Sequence, residues 1–513
     1  MITTENLQGI VAEKDARIAE LEVLVKYYEE QLRLAKHRQF GSSSEKGEVP
    51  DQLGLFDEAE NTADPKQIEP ELETIIYSRR KRVGKRDDDF SELPVEVVEY
   101  DLPESEQICP ECNGALHTMG HDTRRELKVI PAQVKIVEHK RAVYSCRSCE
   151  KHSDHVPIVK APMPEPVIKG SLASPSAVAH VMTQKYVMCV PLYRQEQAWQ
   201  REGIYLSRQT MANWVIRCSE DWLEPLYERL KRQLLTREVL HTDETVCQVL
   251  HEPGRKANTN SYMWLYQTSG DTCRPIVLYE YQPTRSSSHP KRFLSGWKGY
   301  LHADGYSGYH NLPPDITVIG CWVHLRRKFD EAYKATPVES RAKSSAPEAI
   351  RRLGALFHLE EQWKNLAPDE RQELRLKESK PLAEEFFSWL ATLRILPKMP
   401  MGEAINYAFK QRRWLMNFYL DGRCELSNNR AENSIRPFVV GRKNWLFCNS
   451  QKGAKASSVV YSIIETAKAN GLKPAAYLQF LFETMPNTTT GNLDAILPWG
   501  DAISETCRMP AKN

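Results

Sequence analysis

The 513-residue chain has no run of eighteen apolar residues, and its polar amino terminus carries no signal-peptide pattern. These absences argue against a membrane span and a secretory leader, and predict a soluble, cytoplasmic protein. Net charge is also missing. Sixty-nine Lys and Arg against 68 Asp and Glu leave +1, so nucleic-acid binding has to be argued from local clusters. A disulfide framework is not expected either. Of twelve cysteines, four form two Cys-x-x-Cys pairs and the rest are scattered, which favours metal ligands and free thiols in a reducing compartment. With 41% hydrophobic and 27% charged residues, the composition is that of an ordinary globular protein, and the length suits about three to five folding units.

Residues 5–36 predict a long helix. Leu7, Val11, Lys14, Ile18, Leu21, Val25, Tyr28, Leu32 and Ala35 alternate in steps of four and three, the a/d seam of a coiled coil that pairs two protomers. An amphipathic helix docked on its own chain fits the same spacing. Residues 41–95 read as a linker with a basic segment. Arg79–Arg86 holds six basic residues among eight, suited to phosphates or to a solvated tether. Cys109-Pro110-Glu111-Cys112 and Cys146-Arg147-Ser148-Cys149 follow, 33 residues apart. Two thiolate pairs suit one tetrahedral Zn²⁺ with no open position, and strand-like sequence at 133–139 lies between them. Residues 165–235 are helical by pattern. Helices over Leu192–Arg201 and Arg208–Arg217, joined by a glycine-containing turn and capped by Ser207, form a helix-turn-helix arrangement. Its second helix would offer Arg208, Gln209 and Asn213 to DNA; an ordinary helical hairpin reads the same way.

From residue 238 the pattern turns to strands: Glu238–Val249, Ser261–Thr268, Pro275–Tyr281, then a short helix, Gly299–Ala303 and Ile316–Trp322. Three antiparallel strands followed by one that can pair parallel with the first is the order of a ribonuclease-H-like sheet. That order sets Asp243 beside Asp304. Residues 337–420 read as a helical insertion whose aromatics belong to a core. Beyond it, Glu432 opens a helix in Asn428-Asn429-Arg430-Ala431-Glu432. Three carboxylates that meet can hold two divalent cations about 4 Å apart for phosphodiester chemistry, and oxygen ligands suit Mg²⁺ or Mn²⁺. Each carboxylate also has a plain reading. Glu244 rivals Asp243, Asp304 suits a turn, and Glu432 at N3 behind a capping Asn429 suits a capping box. Arg430, Arg436, Arg442 and Lys443 make a basic patch nearby.

Taken together, these pieces resemble the large transposase of the insertion sequence sixty-six family. The resemblance rests on Phe40–Lys46, the paired knuckles, Pro191–Gln197, His302–Tyr309, Cys321–Phe329 and Asn428–Pro437. It implies an Asp-Asp-Glu triad falling on Asp243, Asp304 and Glu432, a zinc-binding segment, and metal-dependent transposition of double-stranded DNA. Two small accessory proteins of the same element are implied as partners. The expected architecture is multidomain α+β: a coiled coil (1–40), a linker (41–95), a zinc-binding domain (96–160), a helical DNA-binding domain (165–235), a ribonuclease-H-like catalytic domain (236–450) with its insertion, and a helical carboxy-terminal segment (451–513). A catalytically inactive DNA-binding relative acting as a repressor, or a nuclease that cuts without joining, are the alternatives.

Overall fold

The computed structural model describes residues 134–146 and 158–510, apart from 271–273, 342 and 489–491, together with Lys14, Ile18, Leu21, Val25, Tyr28 and Glu29. Those six amino-terminal residues are helical, and the expected seam residues Ile18, Leu21, Val25 and Tyr28 are exposed on the single chain. The linker and Cys109, Cys112 and Cys149 lie outside the described residues. Contacts divide the chain into two units, Phe56–Pro162 and the remainder. In the smaller unit, β1 (Val143–Ser145) and β2 (Ile158–Lys160) pair antiparallel, and Cys146 follows β1 in an exposed position. The strand expected at 133–139 is not formed over residues 134–140. Alternation makes a strand only where a neighbour takes up the backbone groups.

The larger unit begins with four helices: α1 (Pro175–Tyr186), α2 (Leu192–Arg201), α3 (Arg208–Cys218) and α4 (Glu224–Leu234). Ser207 caps α3, its hydroxyl accepting the Thr210 N–H at 3.1 Å. Met211 is fully buried, and Leu206 packs against the same core.

A sheet follows. β3 (Val239–His251), β4 (Asn260–Thr268) and β5 (Val277–Gln282) form an antiparallel meander. α5 (Ser288–Phe293) leads to β6 (Gly299–Ala303) and β7 (Ile316–Gly320). β6 pairs parallel with β3, and β7 parallel with β6, giving the order β5-β4-β3-β6-β7. The chain then enters α6 (Trp322–Ala335).

Between sheet and last helices lie α7 (Val338–Arg341), α8 (Ala346–Gln362), α9 (Pro368–Leu374), α10 (Lys380–Thr392) and α11 (Pro400–Met416). They build a second core with α6, around Trp322, Phe329, Leu353, Phe386 and Phe387. Burying one such aliphatic or phenyl side chain contributes roughly 1.5–3 kcal/mol. The aromatic positions of the insertion therefore support packing, as their pattern suggested.

α12 (Asn429–Trp445), β8 (Cys448–Ser450), α13 (Gln451–Ala469) and α14 (Pro474–Thr484) complete the chain. The last helices share the apolar core of α1–α4 and the sheet. α13 runs along the edge strand β5. Ser462 Oγ accepts the Tyr279 N–H at 2.7 Å, and Thr466 Oγ1 accepts the Val277 N–H at 3.0 Å and donates to the Val277 carbonyl at 2.9 Å. At the other edge, Asn417 Nδ2 donates to the Val318 carbonyl of β7 at 2.8 Å.

Candidate active site

Two adjacent strands carry nearly the same four residues. β3 carries Leu240-His241-Thr242-Asp243, and β6 runs through Leu301-His302-Ala303 into Asp304. Their parallel register sets Leu240 against Leu301 and His241 against His302. Asp243 and Asp304 each stand two positions further on, so the side-chain alternation of a strand carries both toward the histidine face. Gly299 fixes the start of this register. Its φ is +152°, and a Cβ there would meet the Glu238 carbonyl oxygen at 2.2 Å. The next residue, Tyr300, donates its N–H to that same carbonyl at 2.8 Å. Only glycine admits β6 so close to the beginning of β3.

The two histidines stack, with ring centroids 4.2 Å apart and planes 11° off parallel. Burial lowers the His241 imidazole, with Glu425 acting against it, and burial lowers His302 well below the usual range. His302 Nε2 accepts the Glu425 N–H at 3.1 Å. Together they form a stacked aromatic pair on the face that the register gives to Asp243 and Asp304.

Asp243 is the most perturbed of the acids. Burial pushes its carboxyl well above the usual range, and the charges of Glu244, Asp304 and Glu432 push in the same direction. That coupling joins residues from β3, the end of β6 and α12. Glu244 has a different occupation. Its side chain is 1% exposed, accepts from Arg285 Nε at 2.7 Å, and takes a hydrogen bond from the Tyr309 hydroxyl. Burial and Asp304 raise it, while Tyr309 and Arg285 act against them. Asp304 also holds a turn, its Oδ1 accepting the Tyr306 N–H at 2.9 Å.

Glu432 is positioned by Asn428, and its carboxylate lies against α6. The expected capping box does not form. Asn428, not Asn429, is the residue preceding the first turn of α12, and its side chain makes no cap bond. Instead Asn428 Nδ2 donates to the Thr242 carbonyl at 2.9 Å, and its Oδ1 accepts from His241 Nδ1 at 3.0 Å. Its N–H donates to Cys321 Sγ at 3.2 Å, and its carbonyl accepts the Glu432 N–H at 3.2 Å. The start of α12 is thereby stitched to β3 at the two residues that precede Asp243. The Glu432 carboxylate lies 3.6 Å from His324 Nε2 and 3.6 Å from the Arg327 guanidinium. Burial by itself lowers His324, but Cys321 and Glu432 outweigh it and lift the imidazole to about 9.

The other expected residues are spread out. Arg208, Gln209 and Asn213 are exposed along α3, and the Arg208 guanidinium sits 5.6 Å over the Tyr193 ring. Arg430 is exposed but bonded to Glu425 at 3.1 Å. Arg442 turns toward β3, donating to Thr245 Oγ1 at 3.2 Å and to the Val246 carbonyl. Lys443 is exposed and Arg436 half-buried. Reading the sequence did not single out His241, His302, Arg285 or Asn428. The repeated Leu-His-x-Asp was the available signal for the histidines, since it marks two strand ends in the same register.

Comparison with known proteins gives the family of the chain. The profile described as "Transposase IS66 family" matches residues 170–456, and "zinc-finger binding domain of transposase IS66" matches 106–150. "IS66 C-terminal element" matches 462–499 and "Transposase C of IS166 homeodomain" matches 27–98. Similar proteins of Sinorhizobium fredii include uncharacterized protein y4jD, 30% identical over 79% of this chain and 81% of that one. Uncharacterized protein y4qI is 29% identical over 92% and 89%. The zinc-finger match covers all four knuckle cysteines, and among the described residues no helix is long and apolar enough to cross a membrane. With more than half its length matched by the catalytic-region profile and further matches on both sides, the chain belongs to the IS66 transposase family.

Proposed function

We propose that the chain cuts phosphodiester bonds at the ends of its element and joins the freed 3′-hydroxyls to target DNA, with Asp243, Asp304 and Glu432 as the acidic triad. The observation that carries this reading is geometric: the parallel register of β3 and β6 brings Asp243 and Asp304 to matching positions, and Asn428 ties the turn of α12 that bears Glu432 to the same strand. Such a cluster repels itself, and a divalent cation relieves the repulsion. All three groups offer hard oxygen donors, which suit Mg²⁺ or Mn²⁺. When bound, a pair of these ions supplies Lewis acidity at the attacking and leaving oxygens. The chain's own part is to hold those acids in place. Asn428 ties α12 to β3, the stacked histidines support the strand ends, and Arg285 with Tyr309 occupies Glu244 so that it stays out of the site.

The strand order matches that of a ribonuclease-H-like sheet, which supports the same reading. DNA is gripped by the exposed polar face of α3 (Arg208, Gln209 and Asn213) and by Arg430, Arg436, Arg442 and Lys443 around α12. A zinc ion on Cys109, Cys112, Cys146 and Cys149 shapes the amino-terminal segment. The exposed Ile18, Leu21, Val25 and Tyr28 pair two protomers so that two ends are held together in the cytoplasm, and the two small proteins of the element assist. The test is a strand-transfer assay with DNA carrying the element's own ends, in Mg²⁺. Cleavage and joining by the natural chain, both lost in Glu432→Gln with end binding intact, is the expected result. Cleavage without joining assigns a nuclease. Full activity in Glu432→Gln removes Glu432 from the triad.

A further inference from the structure

Cys321, His324 and Glu432 are brought to one place by two helices. Cys321 is the residue at the N-cap of α6 and His324 lies three positions on, so the two share the first turn and face the same side. Glu432 arrives from the first turn of α12. One ligand atom from each residue lies within 4.8 Å of the other two, the one group of three His, Cys, Asp or Glu residues with this property among the described residues. Ligands of a tetrahedral ion with bonds of about 2.0–2.3 Å stand roughly 3.5 Å apart, so the set closes on an ion with a shift of about an ångström.

Two further observations concern these atoms. His324 Nδ1 and Glu432 Oε1 are both buried without a hydrogen-bond partner among the described residues, an arrangement that costs stability unless something fills it. The sulfur, by contrast, already receives the Asn428 N–H at 3.2 Å, the kind of outer contact that orients a metal-bound ligand. Glu432 can serve here through Oε1, which faces His324, while Oε2 lies on the Arg327 side.

We infer that Cys321, His324 and Glu432 form a second metal site, which takes a transition ion such as Zn²⁺ and leaves one coordination position open. Sulfur and imidazole select such ions over Mg²⁺, and three protein ligands plus an open position is the pattern of a reactive zinc site, not of a closed structural one. The site shares Glu432 with the proposed triad but requires neither Asp243 nor Asp304. An ion bound here draws the third carboxylate toward α6.

The test is zinc binding by the full chain, measured by equilibrium dialysis against buffered Zn²⁺ and metal analysis. The natural chain should hold two equivalents, one on the cysteine knuckles and one here. Cys321→Ser and His324→Ala should each weaken one equivalent by at least about tenfold, with circular dichroism unchanged. Cys109→Ser should lose the other equivalent and keep this one. Co²⁺ loaded into Cys109→Ser should show a thiolate-to-cobalt absorption band that vanishes on Cys321→Ser. Equal zinc content in the natural chain, Cys321→Ser and His324→Ala overturns the inference, as does absence of the band. Asp243→Asn should keep both equivalents, so a failure of the triad reading and a failure of this site are told apart.

Discussion

The first half of β3 and the end of β6 spell the same pattern and lie in the same register, yet they carry different loads. Asp243 belongs to a strand that continues to His251, with β4 on one side and β6 on the other. Its carboxyl is held in place by the sheet, and burial pushes it far up. Asp304 stands where β6 stops, and its carboxylate bends the chain by accepting the Tyr306 N–H. One acid is fixed by continuous pairing and the other by its own turn. Identical residue types at matched positions therefore differ in what they cost the fold and in what they can be replaced by.

The largest expected effect treats the two as equals. Asp243→Asn and Asp304→Asn should each reduce cleavage roughly 10³-fold or more in Mg²⁺, the loss that accompanies several kcal/mol of transition-state charge stabilisation. A variant that keeps more than a tenth of the natural rate breaks the pairing. Next comes Asn428→Ala, which cuts the link from β3 to α12 and leaves His241 Nδ1 and the Thr242 carbonyl without their partner. Stability should fall by about 2 kcal/mol or more. Cleavage should fall roughly 10–100-fold through kcat, with end binding nearly intact.

The third prediction separates the two acids. The folded value of Asp243 lies above its ordinary 3.8, so the folded state holds that proton more tightly than the unfolded one. The stability this provides is present below the ordinary value and is lost as pH rises through the folded one. In chelator near about pH 7.5, Asp243→Asn should melt a few degrees (about 2–4 °C) above the natural chain, with the difference closing as pH falls toward the ordinary value. Asp304→Asn keeps an acceptor for Tyr306 and should leave the melting point unchanged. Equal shifts in both variants would erase the distinction. The smallest effect concerns the residue between histidine and aspartate. Thr242 donates to the Leu265 carbonyl at 2.9 Å, where β6 has only Ala303. Thr242→Ala gives β3 the β6 spelling and should cost about 1 kcal/mol with cleavage retained.

The strands and the α2–α3 pair were legible because their signals are local. A period of two, a capping serine and a glycine turn each act within a few residues. Asp243 and Asp304 were legible as neighbours because strand order follows from connection lengths and handedness. Glu432 was harder. An acid three residues past an asparagine reads as a capping box, and only tertiary contact shows that Asn428 has spent its side chain on β3. Glu244 was a similar case, since nothing local reveals that Arg285, 41 positions away, will claim it. The strand expected at 133–139 had the right alternation but pairs with no strand among the described residues, which no single segment can declare.

α13 deserves a last consideration for what it denies to other chains. Ser462 and Thr466 supply to β5 the donors and acceptors that a sixth strand would supply, and Asn417 does part of this for β7. The β5 margin of the sheet is thus covered by side chains rather than by backbone, and the β7 margin in part. Along β5, a foreign segment meets Val277 and Tyr279 already bonded to α13. A chain ended before residue 451 would present β5 as a bare template for aggregation.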